Sequence, residues 1–402
     1  MVLGVASHSQ LQPEYARRHA AVRSAMATAG FSALLVYGGN KLYGNLRYLT
    51  GIFPDRGGWI SLTPTTMYVF EGALVLLPLE GEPTLSLEPG LTIAQEPFVA
   101  DVRAGSLKSS PDQGLTPGSL VKLIVEKAPS GVIGIETWDR FPTGLYTALS
   151  QLKGVSLAPS TILEELRLVK SEYEIGILRQ AAAVGDRAHE VVVQALTSGK
   201  PITEQELVRA AEYEIRRLDP VYEDSSSSGP AMICSGTAVG NSLLHPAQPD
   251  KRIGRGDLVH WDLASRHQGY TVDTSRTRVL GQATAGQKRA FDVVSQVMDE
   301  VVRAIRPGLK ASELVDLAVA VASDGGYELW ERFLGHGTGL DGHERPDMGV
   351  EDTPLAAGMV LAIEPRVVEA GRHLIGTENV VVVTPSGGDT LNQFPAGPLE
   401  LP

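Results

Sequence analysis

The sequence predicts two domains, an α/β domain over residues 1–160 followed by an α+β domain over 161–402. Three observations carry this expectation. A chain of 402 residues exceeds one average domain. Its first part mixes helical spacing with short apolar runs bounded by turn residues. Its later part groups amphipathic helices between two sets of strands.

Residues 14–29 have helical spacing and end at Gly30, a good C-cap. FSALLVYGG follows as a buried strand, and NLRYLTGI, TMYVF and GALVLLPLE continue as short strands. LVKLIVEKA reads as a helix before the strand GVIGIE. The glycine pairs GGN and GGW lack the spacing of a phosphate loop and read as turns. The composition then changes. Residues 161–198 form two amphipathic helical stretches broken near Lys170 and Ser171, where Ser171 and Glu174 offer a capping box. ITEQELVRAAEYEIRRLD continues as a helix, and EDSSSSGP reads as a linker or an active-site loop. AMICSG is a strand, His245 follows in a loop, and residues 285–308 and 312–326 hold two more helices.

Composition narrows the function. A net charge of −12 without Lys and Arg clusters argues against nucleic acid. The single cysteine, Cys234, excludes an internal disulfide and reads as a small buried residue. The N-terminal residues show no signal-peptide pattern, and no apolar run approaches a membrane span, so a cytoplasmic protein is expected.

Chemistry concentrates in two acidic hairpins. VHWDLA and GYTVDTSR flank the turn residues SRHQG, and each strand holds one carboxylate, Asp262 and Asp273. A hairpin centred between His267 and Gln268 opposes the two directly, with Cβ atoms roughly 5 Å apart. Like charges so placed repel, and a divalent cation between them reverses the sign. MVLAIEPRVVEAGRHLIGTENVVVV repeats the pattern around Gly371, with Glu364 and Glu378 in cross-strand register. Between the hairpins lies GHGTGLDGHE, where Gly335 and Gly337 leave space for His336 to approach a ligand closely. Singly, each residue reads as an ordinary strand carboxylate or core histidine. Jointly, two opposed acidic pairs with apolar neighbours and one histidine suit two hard or borderline divalent ions such as Mn²⁺, Co²⁺, Fe²⁺ or Zn²⁺.

The ordered set GDLVHWDLA, GYTVDTSRT, GHGTGLDGHERP, GMVLAIEP and GTENVVVVTPSG resembles the pita-bread metallopeptidases, the prolidase, aminopeptidase P and creatinase group. LEELRLVKSEYE resembles the segment that opens their catalytic domain, and the N-terminal part agrees more loosely with a creatinase-type domain. The resemblance implies a pita-bread domain with Asp262, Asp273, His336, Glu364 and Glu378 as ligands of two metal ions, Asp273 and Glu378 bridging. His245 and His343 match the family's substrate-facing histidines. It further implies a metal-bridging hydroxide as nucleophile, Glu364 as its proton shuttle, and hydrolysis of a peptide bond next to proline in a small peptide. A homodimer is implied by resemblance alone.

One departure stands out. Prolidase-like members carry arginine two residues before the last glutamate, where this chain has Gly376. The hairpin register places Arg366 opposite Gly376 and on the face of Glu364. Arg366 then serves either as a relocated clamp for a substrate carboxylate or as a cation that neutralises the acidic cluster. His260, two residues before Asp262 and opposite Ser275 in the same register, reads either as a hydrogen-bonding support behind the ligands or, more simply, as a buried histidine satisfied by Ser275. Dipeptidase, aminopeptidase and carboxypeptidase action stay open, as do hydrolysis of a small non-peptide amide and a binding module without activity.

Overall fold

The computed structural model describes the chain apart from residues 1–6, 40–42, 53–57, 64–65, 71, 92, 94–95, 106–113, 219–230, 237–249 and 370–372. His245, the serine run at 225–228 and Gly371 lie outside the described residues. The chain divides into two compact units between Arg167 and Leu168.

The N-terminal unit is α/β. Its strands are β1 (Phe31–Gly39), β2 (Gly58–Thr63), β3 (Thr66–Phe70), β4 (Gly72–Pro78), β5 (Thr84–Leu87), β6 (Asp101–Arg103), β7 (Gly131–Glu136) and β8 (Val155–Ser160). Six of them form a mixed sheet in the order β6-β5-β4-β1-β7-β8, and β2 pairs with β3. Helix α1 (His8–Ala29) ends on Gly30 with φ of 74°, the left-handed cap its sequence announced. Residues of NLRYLTGI, expected as a strand, form helix α2 (Gly44–Thr50) instead. All seven helical residues are buried and the Arg47 side chain binds the Gly51 carbonyl. A short segment buried on every side shows no period, so sequence cannot separate helix from strand there. Helices α3 (Pro117–Lys127) and α4 (Thr143–Leu149) supply side chains to the core on the sheet.

Helix α5 (Ile162–Leu168) leads to α6 (Glu172–Leu196), which Ser171 and Glu174 cap reciprocally. Short β9 (Ile202–Thr203) and α7 (Glu204–Leu218) precede β10 (Ala231–Ser235), β11 (Arg252–Ile253), β12 (Leu258–His267) and β13 (Tyr270–Leu280). Helices α8 (Ala285–Ala304) and α9 (Ala311–Asp324) precede β14 (Gly335–Gly337), β15 (Glu344–Met348), β16 (Val360–Ile363), β17 (Arg366–Glu369), β18 (His373–Gly376), β19 (Asn379–Thr384) and β20 (Gly387–Thr390), and β21 (Glu400–Leu401) closes the chain.

The plan is a doubled motif, two helices and then an acidic hairpin. Helices α6 and α7 bury Val184, Ala188, Leu207 and Ala211 with Ile233, Val259 and Trp261 of the sheet β10-β12-β13-β21. Helices α8 and α9 bury Val294, Val297, Leu314 and Ala318 with Leu361, Ile363 and Val381 of the sheet β15-β14-β16-β19-β20. Each helix pair thus takes the apolar face of a hairpin and leaves its carboxylates on the other side.

Candidate metal centre

The first hairpin turns two residues tighter in register than expected. Asp262 opposes Ser275, and Asp273 opposes Ala264, so the carboxylates are diagonal rather than direct neighbours. The cause is the turn. Gln268 and Gly269 alone form it, both at positive φ (46° and 84°), while Ser265, Arg266 and His267 stay in the ladder. Alternation keeps Asp262 and Asp273 on one face, within reach of each other. The same shift places His260 opposite Thr277, not Ser275, and its Nδ1 lies 3.0 Å from Thr277 Oγ1.

In the second hairpin the expected register holds on both sides of a break. Ile363 pairs with Asn379 and Arg366 with Gly376, while Glu364-Pro365 and Thr377-Glu378 leave the ladder between them. Proline has no N–H to donate there. The two glutamates are tied by their backbones instead: Glu364 N–H donates to Leu334 O at 2.8 Å and Glu378 N–H to Ser275 O at 2.9 Å. Arg276, fully buried, donates Nη1 to the Glu378 carbonyl at 2.6 Å and Nε to Pro395 O at 3.1 Å. It locks the residue carrying Glu378 to the strand carrying Asp273. Sequence gave no sign of this arginine beyond its place after two polar residues.

His336 sits in β14, squeezed between β15 and β16. Its flanking glycines answer to those neighbours rather than to a ligand. A Cβ on Gly335 (φ 144°) would lie 1.9 Å from Ala362 O, and one on Gly337 would lie 2.1 Å from Arg345 O. His336 Nδ1 donates to Gly337 O at 2.9 Å, which leaves Nε2 as the lone-pair nitrogen, 3.7 Å from Glu364 Oε1 and 4.0 Å from Glu378 Oε1.

Ligand-type atoms of His336, Glu364 and Glu378 converge within 4.8 Å of one another, as do those of Asp262, Asp273 and Glu378. Glu378 belongs to both groups. A third group joins Asp273, His336 and His343. His343 is exposed and stacks on His336, ring centres 3.7 Å apart. Glu344, beside it, takes the Lys170 ammonium at 3.0 Å and Asp341 N–H at 3.0 Å, seating the loop.

Burial, then the Asp273 charge, holds the Asp262 and Glu378 carboxyls well above the usual carboxylate range. Glu364 rises too, from burial, with Arg366 opposing. Burial pushes His336 down and, together with Arg366, brings His260 to about 3. Arg366 is 8% exposed, its Nη2 meeting the Glu364 carboxylate and lying 3.8 Å from Asp262 Oδ2. The arrangement brings Asp262, Asp273, His336, His343, Glu364, Arg366 and Glu378 to one place.

Residues 176–385 match the model of metallopeptidase family M24, and residues 18–169 match the creatinase/prolidase N-terminal domain. The chain belongs to metallopeptidase family M24. As an M24 chain it is 30% identical over 274 residues to an Xaa-Pro dipeptidase of Pyrococcus horikoshii, spanning 66% of this chain and 75% of that protein. It is 29% identical over 386 residues to a probable dipeptidase PepE of Mycobacterium tuberculosis, 95% of each chain. The crystal structure of dipeptidase PepE from Mycobacterium ulcerans is 27% identical with a TM-score of 0.74, covering 97% of this chain and 99% of that one. A prolidase from Thermococcus sibiricus shares the fold at a TM-score of 0.76 and 24% identity, over 99% of this chain and 100% of that one. The pita-bread expectation is met, and family membership makes this chain a metal-dependent hydrolase. No described helix is long and apolar enough to cross a membrane.

Proposed function

We propose that this M24 chain is a dinuclear-metal peptidase that cleaves small peptides next to proline, as a dipeptidase or an aminopeptidase. One observation carries the reading. Asp262 Oδ1, His336 Nε2 and Glu378 Oε2, three atoms of the expected ligand set, are buried where the hairpins meet and have no hydrogen-bond partner. Buried polar atoms are ordinarily paired, and oxygen donors with one imidazole nitrogen suit hard or borderline divalent cations. Asp262, Asp273, His336, Glu364 and Glu378 would hold two of them, with Asp273 and Glu378 shared. When bound, such ions polarise a carbonyl and lower the pKa of water.

The protein's own groups do the rest. Glu364 gives Oε2 to Arg366 and keeps Oε1 toward His336, where it would accept and return a proton. His343, stacked at the exposed side of His336, would hydrogen-bond the substrate as charge develops. His245 takes the same role in this reading by family resemblance. Arg366 would face the substrate carboxylate. Its contacts with Glu364 and Asp262 favour a second role, balancing the acidic cluster. A Mn²⁺ enzyme, a homodimer and a cytoplasmic site complete the reading on resemblance.

The test is mass spectrometry of a peptide library and a dipeptide panel digested by Mn²⁺-, Co²⁺- or Zn²⁺-loaded protein. Cleavage confined to bonds beside proline is expected. Metal-loaded protein that turns over no peptide sinks the proposal and favours a small non-peptide amide as substrate. Digestion from the C-terminus points to a carboxypeptidase.

A further inference from the structure

Four residues form a row across the two hairpins: His260, Thr277, Gly376 and Arg366. Thr277 Oγ1 donates to Gly376 O at 2.8 Å and accepts Gly376 N–H at 3.2 Å, stitching β13 to β18. A hydroxyl has one proton, and this one is committed to a carbonyl. His260 Nδ1, 3.0 Å from the same oxygen, is therefore the donor in that contact. Neutral His260 then presents Nε2 as an acceptor. His260 is 2% exposed, and Nε2 is buried without a hydrogen-bond partner.

At the other end of the row, Gly376 lets the arginine fold back. A Cβ there would stand 2.7 Å from Arg366 Cγ. The guanidinium runs on to Glu364 and toward Asp262, two residues from His260 on the same face of β12. Arg366 Nε is likewise buried without a partner. One orphan acceptor and one orphan donor thus stand at the two ends of the same row, each buried without a partner.

We propose that His260 is a positioning residue for Arg366. Its Nε2, aimed by Thr277, takes the Arg366 Nε–H across no more than one water and holds the guanidinium at the rim of the carboxylate cluster. Only the use made of Arg366, as a carboxylate clamp, rests on the proposed function; the contact itself does not.

The experiment uses the full metal-free chain labelled with ¹⁵N-arginine, the Arg366 Nε–H resonance being assigned by its loss in Arg366→Lys. His260→Gln keeps an acceptor near the Nε2 position and retains the protected resonance. His260→Met removes it, and solvent exchange of that proton accelerates by about tenfold or more. Thr277→Val, which frees Nδ1, loosens the resonance in the same direction. An Arg366 signal whose shift and exchange are unchanged in His260→Met, or lost equally in His260→Gln, overturns the proposal. A kinetic arm compares peptides with free and amidated C-termini. Here His260→Met should lower the preference for the free acid roughly threefold or more, as Arg366→Ala does, and the double variant should fall no further than Arg366→Ala. If Arg366→Ala leaves that preference unchanged while the resonance still answers to His260, the clamp reading fails and the positioning stands.

Discussion

Glu378 stands at the junction of both ligand groups, held by Ser275 through its N–H and by Arg276 through its carbonyl. Its carboxylate is surrounded by Asp262, Asp273 and Glu364, a repulsive arrangement that a bound cation would relieve. Glu378→Gln should therefore lower metal content and reduce kcat/KM roughly a hundredfold or more. The metal-free variant should melt above metal-free wild type at pH 7, because it is relieved of a carboxyl whose ionisation is disfavoured by burial and by its acidic neighbours. Elemental analysis and calorimetry of the chelated proteins check both halves, and an unchanged metal content would sink the assignment.

A different carboxylate sets a pH dependence in the N-terminal unit. Glu136 is fully buried, accepting Ser160 Oγ–H at 2.6 Å and Leu163 N–H at 3.3 Å, and burial raises its pKa from 4.5 to about 7. The folded state thus prefers the protonated acid. Its contribution is complete below pH 4.5 and is lost as pH rises through about 7, up to about 3 kcal/mol in all. Melting of this unit should fall between pH 5 and 8, and Glu136→Gln, which keeps the shape without the charge, should flatten the profile. An equal slope in both proteins would show that Glu136 is not its source.

At the scale of elements, register decides which side chains meet. The two-residue turn at Gln268-Gly269 shifts β13 by two positions, which preserves the face and changes the partner. Asp262 and Asp273 remain together, while His260 exchanges Ser275 for Thr277. In β14 the glycines around His336 make room for backbone carbonyls on both sides. Gly335→Ala should destabilise by about 2 kcal/mol or more, combining a clash with Ala362 O and an unfavourable φ, and should lower metal content by displacing His336. Thermal melts and metal analysis read this out. A variant as stable as wild type would mean that β14 shifts without cost.

For the whole molecule, metal loading should act on one unit. The proposed ligand residues all lie beyond Leu168, so chelation should speed hydrogen exchange in β12–β14 and β16–β19 and leave β1–β8 unchanged. Each ion present at a hundred times its Kd adds about 2.7 kcal/mol to the unit that binds it. Exchange that quickens equally in both units would contradict a site built from the second unit alone.

By itself the sequence was enough to propose the ligand set, because a register shift of two residues leaves Asp262 and Asp273 on one face, and the register flanking Glu364 and Glu378 is the expected one. It also determined the Arg366–Gly376 pairing, since the second hairpin is symmetric about its own loop. Tertiary structure alone decided the rest. Helix α2 is buried on every side and carries no periodic signal. The turn type at Gln268-Gly269 depends on two φ angles that no pattern of apolar residues reports. Arg276, Thr277 and the carbonyls beside Gly335 and Gly337 matter through partners about a hundred residues or more away, or on strands whose pairing only the packed sheet establishes. Local periodicity selects the face of an element; only packing selects what that face meets.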